Sequence, residues 1–193
     1  MCLIGKEAPE AVADAVIEGK EIQENYNLAD LRGKYVLLFF YPADFTFVCP
    51  SELHAFQTAL PEFEKRGCQV VGASVDGKYS HYAWLQKPKK EGGIKGVTYP
   101  ILADITKVIS RNFGVLNEEK GIAYRGLFLI DKEGIVRHSL INDFPLGRSV
   151  EEALRILDAL KHTEKNGEVC PADWKVGEKA IKADHQGLKD YFS

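Results

Sequence analysis

The chain has 193 residues, of which 45% are hydrophobic and 27% charged. This length and balance are typical of one globular domain with an appended tail. The formal net charge of −3 gives no electrostatic reason to expect nucleic acid or an anionic membrane as a partner.

The longest apolar run, residues 35–42, is far shorter than the ~20 residues of a membrane-spanning helix. The first ten residues lack the apolar core of a signal peptide. We therefore expect a cytoplasmic protein that contacts no membrane.

Alternation, apolar periodicity and turn residues predict the elements of the first 141 residues. In chain order they are a hairpin turning at Glu18-Gly19-Lys20, a buried strand over 35–41, a helix over 50–65 that Pro61 must kink or divide, a buried strand over 68–75, a helix over 79–87, a loop over 91–100 and a helix over 106–113, then a hairpin of 121–130 and 135–141 around Asp131–Gly134.

Ser149 and Glu152 form a capping box that opens one more helix, whose apolar face carries Val150, Leu154, Leu157 and Leu160. Beyond His162 the periodicity fails, and the polar segment that follows is predicted to be a tail. This order predicts an α/β fold of the thioredoxin-like class, with a central mixed sheet, helices on both faces, an N-terminal hairpin and a C-terminal arm. We expect a domain over residues 1–163 and the arm over 164–193.

The four cysteines form no C-x-x-C pair, and no histidine stands at a zinc-like spacing from two of them. A structural zinc site is therefore not expected. In a reducing cytosol permanent disulfides are not expected either.

Cys49 lies where the strand over 35–41 gives way to the helix predicted from Pro50. An unperturbed thiol, with a pKa of about 8.5, is mostly protonated at neutral pH, but a helix N-terminus and a nearby cation favour the thiolate. Free cysteine is also among the most buried residue types. On local grounds, Cys49 is equally consistent with a nucleophile and with a core residue.

The segment FFYPADFTFVCPSE closely resembles the active-site segment of the peroxiredoxins, whose signature is Pro-x-x-x-Thr-x-x-Cys. Pro42, Thr46 and Cys49 match it at every required position. Four further segments match in order along nearly the whole chain: HYAW with Trp84, AYRGLFLID with Arg125, NDFPLGRSVEE with Arg148 and GEVCPADW with Cys170. The pattern resembles the typical two-cysteine subgroup.

The resemblance implies that Cys49 is the attacking thiolate. It implies that Thr46 and the Cys49 N–H hold the peroxide, that Arg125 favours the thiolate and stabilises the developing charge, and that Pro42 covers the pocket. Glu52, one turn after Cys49, is expected to orient Arg125 through a bidentate pair.

Each role has an alternative. Thr46 could cap the helix, Arg125 could be a surface residue of a strand, and Glu52 could be a first-turn acid that favours the helix dipole.

The resemblance also implies that Cys170 condenses with the oxidised Cys49 of a neighbouring subunit. Cys68, at the start of an apolar strand, is expected to be a packing residue, and Cys2 to be exposed and incidental. The histidines form no cluster, and His54 receives no role.

Family members prone to overoxidation carry a Gly-Gly-Leu-Gly loop and a C-terminal Tyr-Phe. Here the loop reads Gly92-Gly93-Ile94-Lys95, while the tail keeps Tyr191-Phe192. We therefore expect intermediate sensitivity to overoxidation.

The resemblance implies a thiol-dependent peroxidase that reduces hydrogen peroxide and organic hydroperoxides without metal, haem or flavin of its own. It also implies recycling by a thioredoxin or a flavoprotein disulfide reductase, and homodimers that assemble into a decameric ring. A holdase chaperone or peroxide sensor is the alternative from another class. A thioredoxin-like disulfide reductase is disfavoured because C-x-x-C is absent.

Overall fold

The computed structural model describes residues 2–193. These residues form two compact units, one ending at Arg148 and one over Ser149–Ser193, and each is described by itself. The domain boundary predicted at residue 163 lies inside a helix of the second unit, and the predicted division stays a prediction.

A mixed seven-stranded sheet forms the centre of the first unit within the described residues. Its strands are β1 (Val12–Ile17), β2 (Glu21–Asn27), β3 (Tyr35–Phe40), β4 (Cys68–Ser74), β5 (Ile101–Ala103), β8 (Arg125–Ile130) and β9 (Val136–Asn142). They lie in the order β2-β1-β5-β4-β3-β8-β9; β3, β4 and β5 are parallel, and the remaining neighbours are antiparallel. A separate small hairpin pairs β6 (Leu116–Asn117) with β7 (Ile122–Ala123).

The central strand β3 is buried on both faces, as its continuous apolar sequence predicts. On one face Phe39 stacks on Phe56 with ring centroids 4.4 Å apart. On the other face Phe40 packs against Phe113 and Phe128, at 5.4 and 5.9 Å. The helices of this unit are α1 (Cys49–Lys65), α2 (Lys78–Gln86) and α3 (Val108–Asn112), with short 3-10 turns over Leu28–Leu31 and Lys89–Glu91.

Helix α1 supplies Phe56 to one face of the sheet, and Phe113 directly follows α3 on the other. The predicted mixed sheet with helices on both faces is therefore confirmed.

Several element bounds differ from the sequence prediction. Helix α1 is continuous through Pro61, so Pro61 does not divide it, and the alternative of a kink stays a prediction. Strand β5 was not predicted, because three residues carry too little alternation to be recognised. The strand predicted from residue 121 is two elements, and β8 begins at Arg125.

The second unit begins with α4 (Val150–Asn166), whose N-cap Ser149 accepts a hydrogen bond from the Glu152 N–H, as the capping box predicts. The helix extends four residues past His162, to Asn166, and its C-cap is Gly167, whose φ of 67° suits glycine. The tail beyond it contains β10 (Glu168–Val169), β11 (Ile181–Lys182) and α5 (His185–Phe192).

In residues 2–193 we find no helix with both the length and the apolar character needed to cross a membrane.

Candidate active site

Cys49 is the first residue of α1 and is fully buried. The strand β3 ends at Phe40, so residues 41–48 form the loop that leads into the helix. Val48 is the N-cap, and no described side chain caps the helix. The Cys49 thiol therefore lies at the positive end of the α1 dipole, beside backbone N–H groups without intrahelical acceptors.

Arg125 reaches the thiol from β8. Its Nη1 lies 3.4 Å from Cys49 Sγ and donates to Glu52 Oε2 at 2.6 Å, while its Nε donates to the Phe144 carbonyl at 2.7 Å. Arg125 is 3% exposed, so the alternative of a surface strand residue is wrong. The guanidinium is held by two acceptors and directs one nitrogen at the sulfur.

Glu52 bonds to a second buried arginine. Arg148 Nε and Nη2 donate to Glu52 Oε1 and Oε2 at 2.8 and 2.9 Å, and the Arg148 N–H donates to Oε1 at 2.9 Å. The bidentate partner of Glu52 is therefore Arg148. The bidentate pair with Arg125 that the sequence suggested is not formed, because Arg125 donates to Glu52 through one nitrogen only. The remaining Arg148 nitrogen, Nη1, donates to the carbonyls of Phe40 and Gly126.

The charges of this cluster balance when Cys49 is a thiolate. Arg125 and Arg148 contribute two positive charges and Glu52 one negative charge, all at 9% exposure or less. Burial lowers the pKa of Arg148 from its ordinary value, while its hydrogen bonds to Glu52 act in the opposite direction. Because an uncompensated buried charge is costly, a negative sulfur beside Arg125 removes the excess positive charge.

The loop before the helix supplies Thr46 and Pro42. The Thr46 hydroxyl donates to the Ala43 carbonyl at 2.8 Å, so Thr46 does not cap α1. Pro42 is buried. Phe45 has a φ of 55°, a strained backbone for a residue with a side chain, of the kind that often occurs at functional sites.

A buried polar network anchors this loop to α2. The Asp44 carboxylate accepts from Tyr41 Oη, Ser80 Oγ and His81 Nδ1 at 2.8, 2.8 and 2.9 Å. His81 Nε2 faces the Leu102 carbonyl at 3.1 Å, so both ring nitrogens are engaged in the network. Burial, with Asp44 beside the phenol, raises the pKa of Tyr41 well above its ordinary value.

Cys170 lies in the second unit, directly after β10. Its Sγ contacts the Ala159 carbonyl at 3.6 Å and the Thr163 hydroxyl at 3.8 Å, so it packs on α4. No disulfide bond is formed within the described residues. Cys68 is buried at the start of β4, as expected of a packing residue, and Cys2 is exposed.

The loop over residues 92–95 is packed against two helices. Trp84 Nε1 of α2 donates to the Gly92 carbonyl at 2.8 Å, and His54 Nε2 of α1 lies 3.1 Å from the Gly93 carbonyl. Tyr191 and Phe192 are the last two residues of α5. The predicted intermediate sensitivity to overoxidation stays a prediction.

Among residues 2–193, no group of three or more His, Cys, Asp or Glu side chains is arranged to hold a metal ion. The expectation that the protein uses no cofactor stays a prediction.

A buried thiol at a helix N-terminus beside an arginine is the environment of an enzyme with a reactive, nucleophilic cysteine. Residues 4–139 match the AhpC/TSA family, and residues 159–193 match the C-terminal domain of 1-Cys peroxiredoxin.

The chain is 53% identical over 192 residues to peroxiredoxin-2 of Mus musculus, covering 98% of this chain and 95% of that one. It is 46% identical to the reduced 2-Cys peroxiredoxin of Plasmodium vivax, with a TM-score of 0.96 over 100% and 99% of the two chains. Plasmodium yoelii Prx1a, described as forming an artifactual octamer when modified at its N-terminus, is 47% identical, with a TM-score of 0.79 over 88% and 97%.

The chain therefore belongs to the AhpC/TSA family and is a peroxiredoxin, a thiol peroxidase with the thioredoxin-like fold. This confirms the resemblance found in the sequence.

Sequence reasoning named Arg148 as a family match but gave it no role, and it gave none to Asp44 or His81. An arginine among Gly and Pro residues carries no local signal that it is buried. The adjacent Ser80-His81 pair also lies on a short helix where a surface position is the ordinary expectation.

Proposed function

We propose that the protein reduces hydrogen peroxide and organic hydroperoxides at Cys49, with Thr46, Arg125, Pro42 and Glu52 forming the site. The observation that carries the assignment is the 3.4 Å contact between Arg125 Nη1 and the buried Cys49 Sγ. It places a fixed cation beside a sulfur at a helix N-terminus, as a thiolate nucleophile requires.

In the first step the Cys49 thiolate forms an S–O bond to one peroxide oxygen while the O–O bond breaks. The electron pair of that bond leaves with the other oxygen, which takes up a proton and departs as water or an alcohol. The Thr46 hydroxyl donates its hydrogen to Ala43, so its oxygen is available to accept a hydrogen bond from the hydroperoxide. Arg125 is placed to stabilise the leaving oxygen, and the buried Pro42 limits the access of water.

Glu52 has a positioning role in this scheme. It binds Arg125 through one oxygen and Arg148 through both, so the guanidinium of Arg125 is fixed before the peroxide arrives. Such preorganised donors need no rearrangement as the charge develops.

In the second step the Cys170 thiol of a neighbouring subunit attacks the Cys49 sulfenic acid, forming a disulfide and releasing water. A dithiol donor, either thioredoxin or a flavoprotein disulfide reductase, then reduces that disulfide. We propose a domain of residues 1–163, an arm of residues 164–193 that carries Cys170, a homodimer that assembles into a decameric ring, and a location in the cytoplasm.

The test is peroxide consumption at substoichiometric protein with a thioredoxin system and, separately, with a flavoprotein reductase. Wild type is expected to turn over with one of the two, and Cys49→Ser with neither. Sustained turnover by Cys49→Ser would overturn the assignment. If the folded wild-type protein turned over with neither donor, the proposed recycling would be overturned.

A further inference from the structure

His54 connects the active-site helix to the segment Gly92-Gly93. Its Nε2 lies 3.1 Å from the Gly93 carbonyl, and because a carbonyl only accepts, the imidazole donates this bond. The neutral Nε2–H tautomer and the imidazolium can both do so. His54 is half-buried, lies five residues after Cys49 and takes no part in the chemistry proposed above.

The segment that His54 contacts is held firmly in place. The Gly92 carbonyl accepts from Trp84 Nε1 at 2.8 Å, and the Gly93 N–H donates to the Pro88 carbonyl at 3.1 Å. A Cβ on Gly93 would overlap the Lys87 carbonyl, so the close backbone approach depends on glycine. The Gly93 carbonyl is therefore a fixed point of attachment for α1.

Two residues that follow this segment, Thr98 and Tyr99, also bind α1, and both bind it beyond its first turn. Tyr99 Oη donates to the Leu53 carbonyl at 2.8 Å, and the Thr98 N–H donates to Gln57 Oε1 at 2.8 Å. The first turn, Cys49–Glu52, carries the reactive sulfur, and His54 lies where the turn joins this attached part of the helix.

Disulfide formation requires the first turn to open. Cys49 has no exposed surface, whereas a disulfide needs two sulfurs about 2.05 Å apart and Cα atoms within about 7 Å. If residues 49–52 unwind, the His54 N–H loses its helical acceptor, the Pro50 carbonyl. The His54 backbone is then less restrained, and the hydrogen bond of its side chain to Gly93 opposes the opening.

We propose that His54 is a positioning residue whose hydrogen bond to Gly93 keeps the first turn of α1 closed and so slows disulfide formation. The proposal rests on the proposed function for its catalytic consequence.

Two reactions compete for the Cys49 sulfenic acid. In one, the thiol of Cys170 displaces water to form the disulfide. In the other, a second hydroperoxide transfers one oxygen to the sulfur, giving sulfinic acid and water or an alcohol. The second reaction takes place in the closed site, so a bond that holds the site closed favours overoxidation.

The matched variants are His54→Leu, which removes the donor, and His54→Gln, which keeps an N–H donor at similar reach. With hydrogen peroxide we expect the disulfide to form about fivefold faster in His54→Leu, the effect of losing one net hydrogen bond of about 1 kcal/mol. The peroxide concentration that gives half sulfinic acid, measured by intact mass spectrometry, should rise by a similar factor. The rate constant for oxidation of Cys49 itself should not change, and His54→Gln should resemble wild type.

Hydrogen exchange of the reduced protein supplies a readout that needs no peroxide. The amides of residues 53–56 should exchange about fivefold faster in His54→Leu than in wild type or His54→Gln, because they lose acceptors when the first turn opens. If wild type consumed no peroxide but this difference appeared, the proposed function would fail while the role of His54 in holding the helix stood.

Equal exchange and equal disulfide rates in all three proteins would overturn the proposal. A slower disulfide step in His54→Leu would overturn it as well. If the leucine variant lost cooperative thermal unfolding, His54→Ala would provide the same comparison.

Discussion

Glu52 and Arg148, 96 residues apart in sequence, form a buried bidentate ion pair. The N–H of Arg148 donates to the same carboxylate, and its side chain also reaches carbonyls at the end of β3 and in β8. Arg148 thus joins the first turn of α1 to two strands of the sheet. It positions the carboxylate that in turn positions Arg125.

Removing Arg148 is expected to destabilise the protein strongly. Arg148→Met leaves Glu52 with Arg125 alone and leaves two strand carbonyls without this donor. We expect the free energy of unfolding in urea to fall by about 3 kcal/mol, the lower end of the range for breaking a buried pair.

The matched control is Arg111→Met, which breaks an exposed arginine–glutamate pair at 2.7 Å. It should leave the urea midpoint nearly unchanged, because exposed ion pairs contribute little. Equal losses in the two variants would contradict the role given to Arg148.

Thr46→Val should slow the reaction of Cys49 with peroxide. Valine keeps the shape of the side chain but removes the oxygen that we propose accepts the peroxide hydrogen, and it leaves the Ala43 carbonyl without its donor. We expect the second-order rate constant to fall about 100-fold, as for the loss of one positioned polar group. Stopped-flow fluorescence measures it, and Thr46→Ser should retain most of the rate. A valine variant as fast as the serine variant would remove Thr46 from the mechanism.

A disulfide-linked dimer should appear after one equivalent of peroxide. Non-reducing electrophoresis of wild type should show this band, and Cys170→Ser should lose it while dimedone labels a sulfenic acid on Cys49. The exposed Cys2 supplies the control, and Cys2→Ser should keep the band. A dimer that persisted in Cys170→Ser but vanished in Cys2→Ser would show that Cys2, and not Cys170, is the resolving cysteine.

Stability should decline above pH 10. Burial raises the pKa of Tyr41 and of Tyr99 well above the ordinary value of 10.0. The unfolded chain therefore releases these protons from about pH 10, while the folded chain keeps them. The folded state binds more protons there, so each such tyrosine lowers the free energy of unfolding by up to about 1.4 kcal/mol per pH unit.

Urea midpoints between pH 9 and pH 11 measure this slope. Tyr99→Phe should reduce the slope by up to about 1.4 kcal/mol per pH unit, the contribution of one proton. Tyr79 is exposed, so Tyr79→Phe should leave the slope unchanged. An identical slope in Tyr99→Phe and wild type would contradict the explanation.

The sequence predicted the parts of the fold that depend on continuous local patterns. The buried strand over residues 35–41 and the capping box at Ser149 have signals within a few residues, and both are confirmed. Strand β5 was not predicted, because it is short and depends on its neighbours in the sheet.

The geometry of the candidate site was predictable where a motif gathers residues in one segment. Pro42, Thr46 and Cys49 lie within eight positions of each other, and the structure places them in one loop and the helix turn that follows. The pairing of Glu52 with Arg148 was not predictable, because the fold brings a helix turn against a loop 96 residues later and no local pattern encodes that contact. For the same reason the burial of Arg125 required the structure.

The glycine at position 93 fixes the backbone of the segment that His54 contacts. No side chain fits there, since a Cβ would overlap the Lys87 carbonyl, so the carbonyl that receives the His54 bond must stay where it is. Residue 54 is half-buried and carries no share of the peroxide chemistry, so a single substitution there leaves the catalytic constellation intact. Under the proposal made above, exchanging this one residue shifts the balance between disulfide formation and overoxidation without removing a group that binds the peroxide.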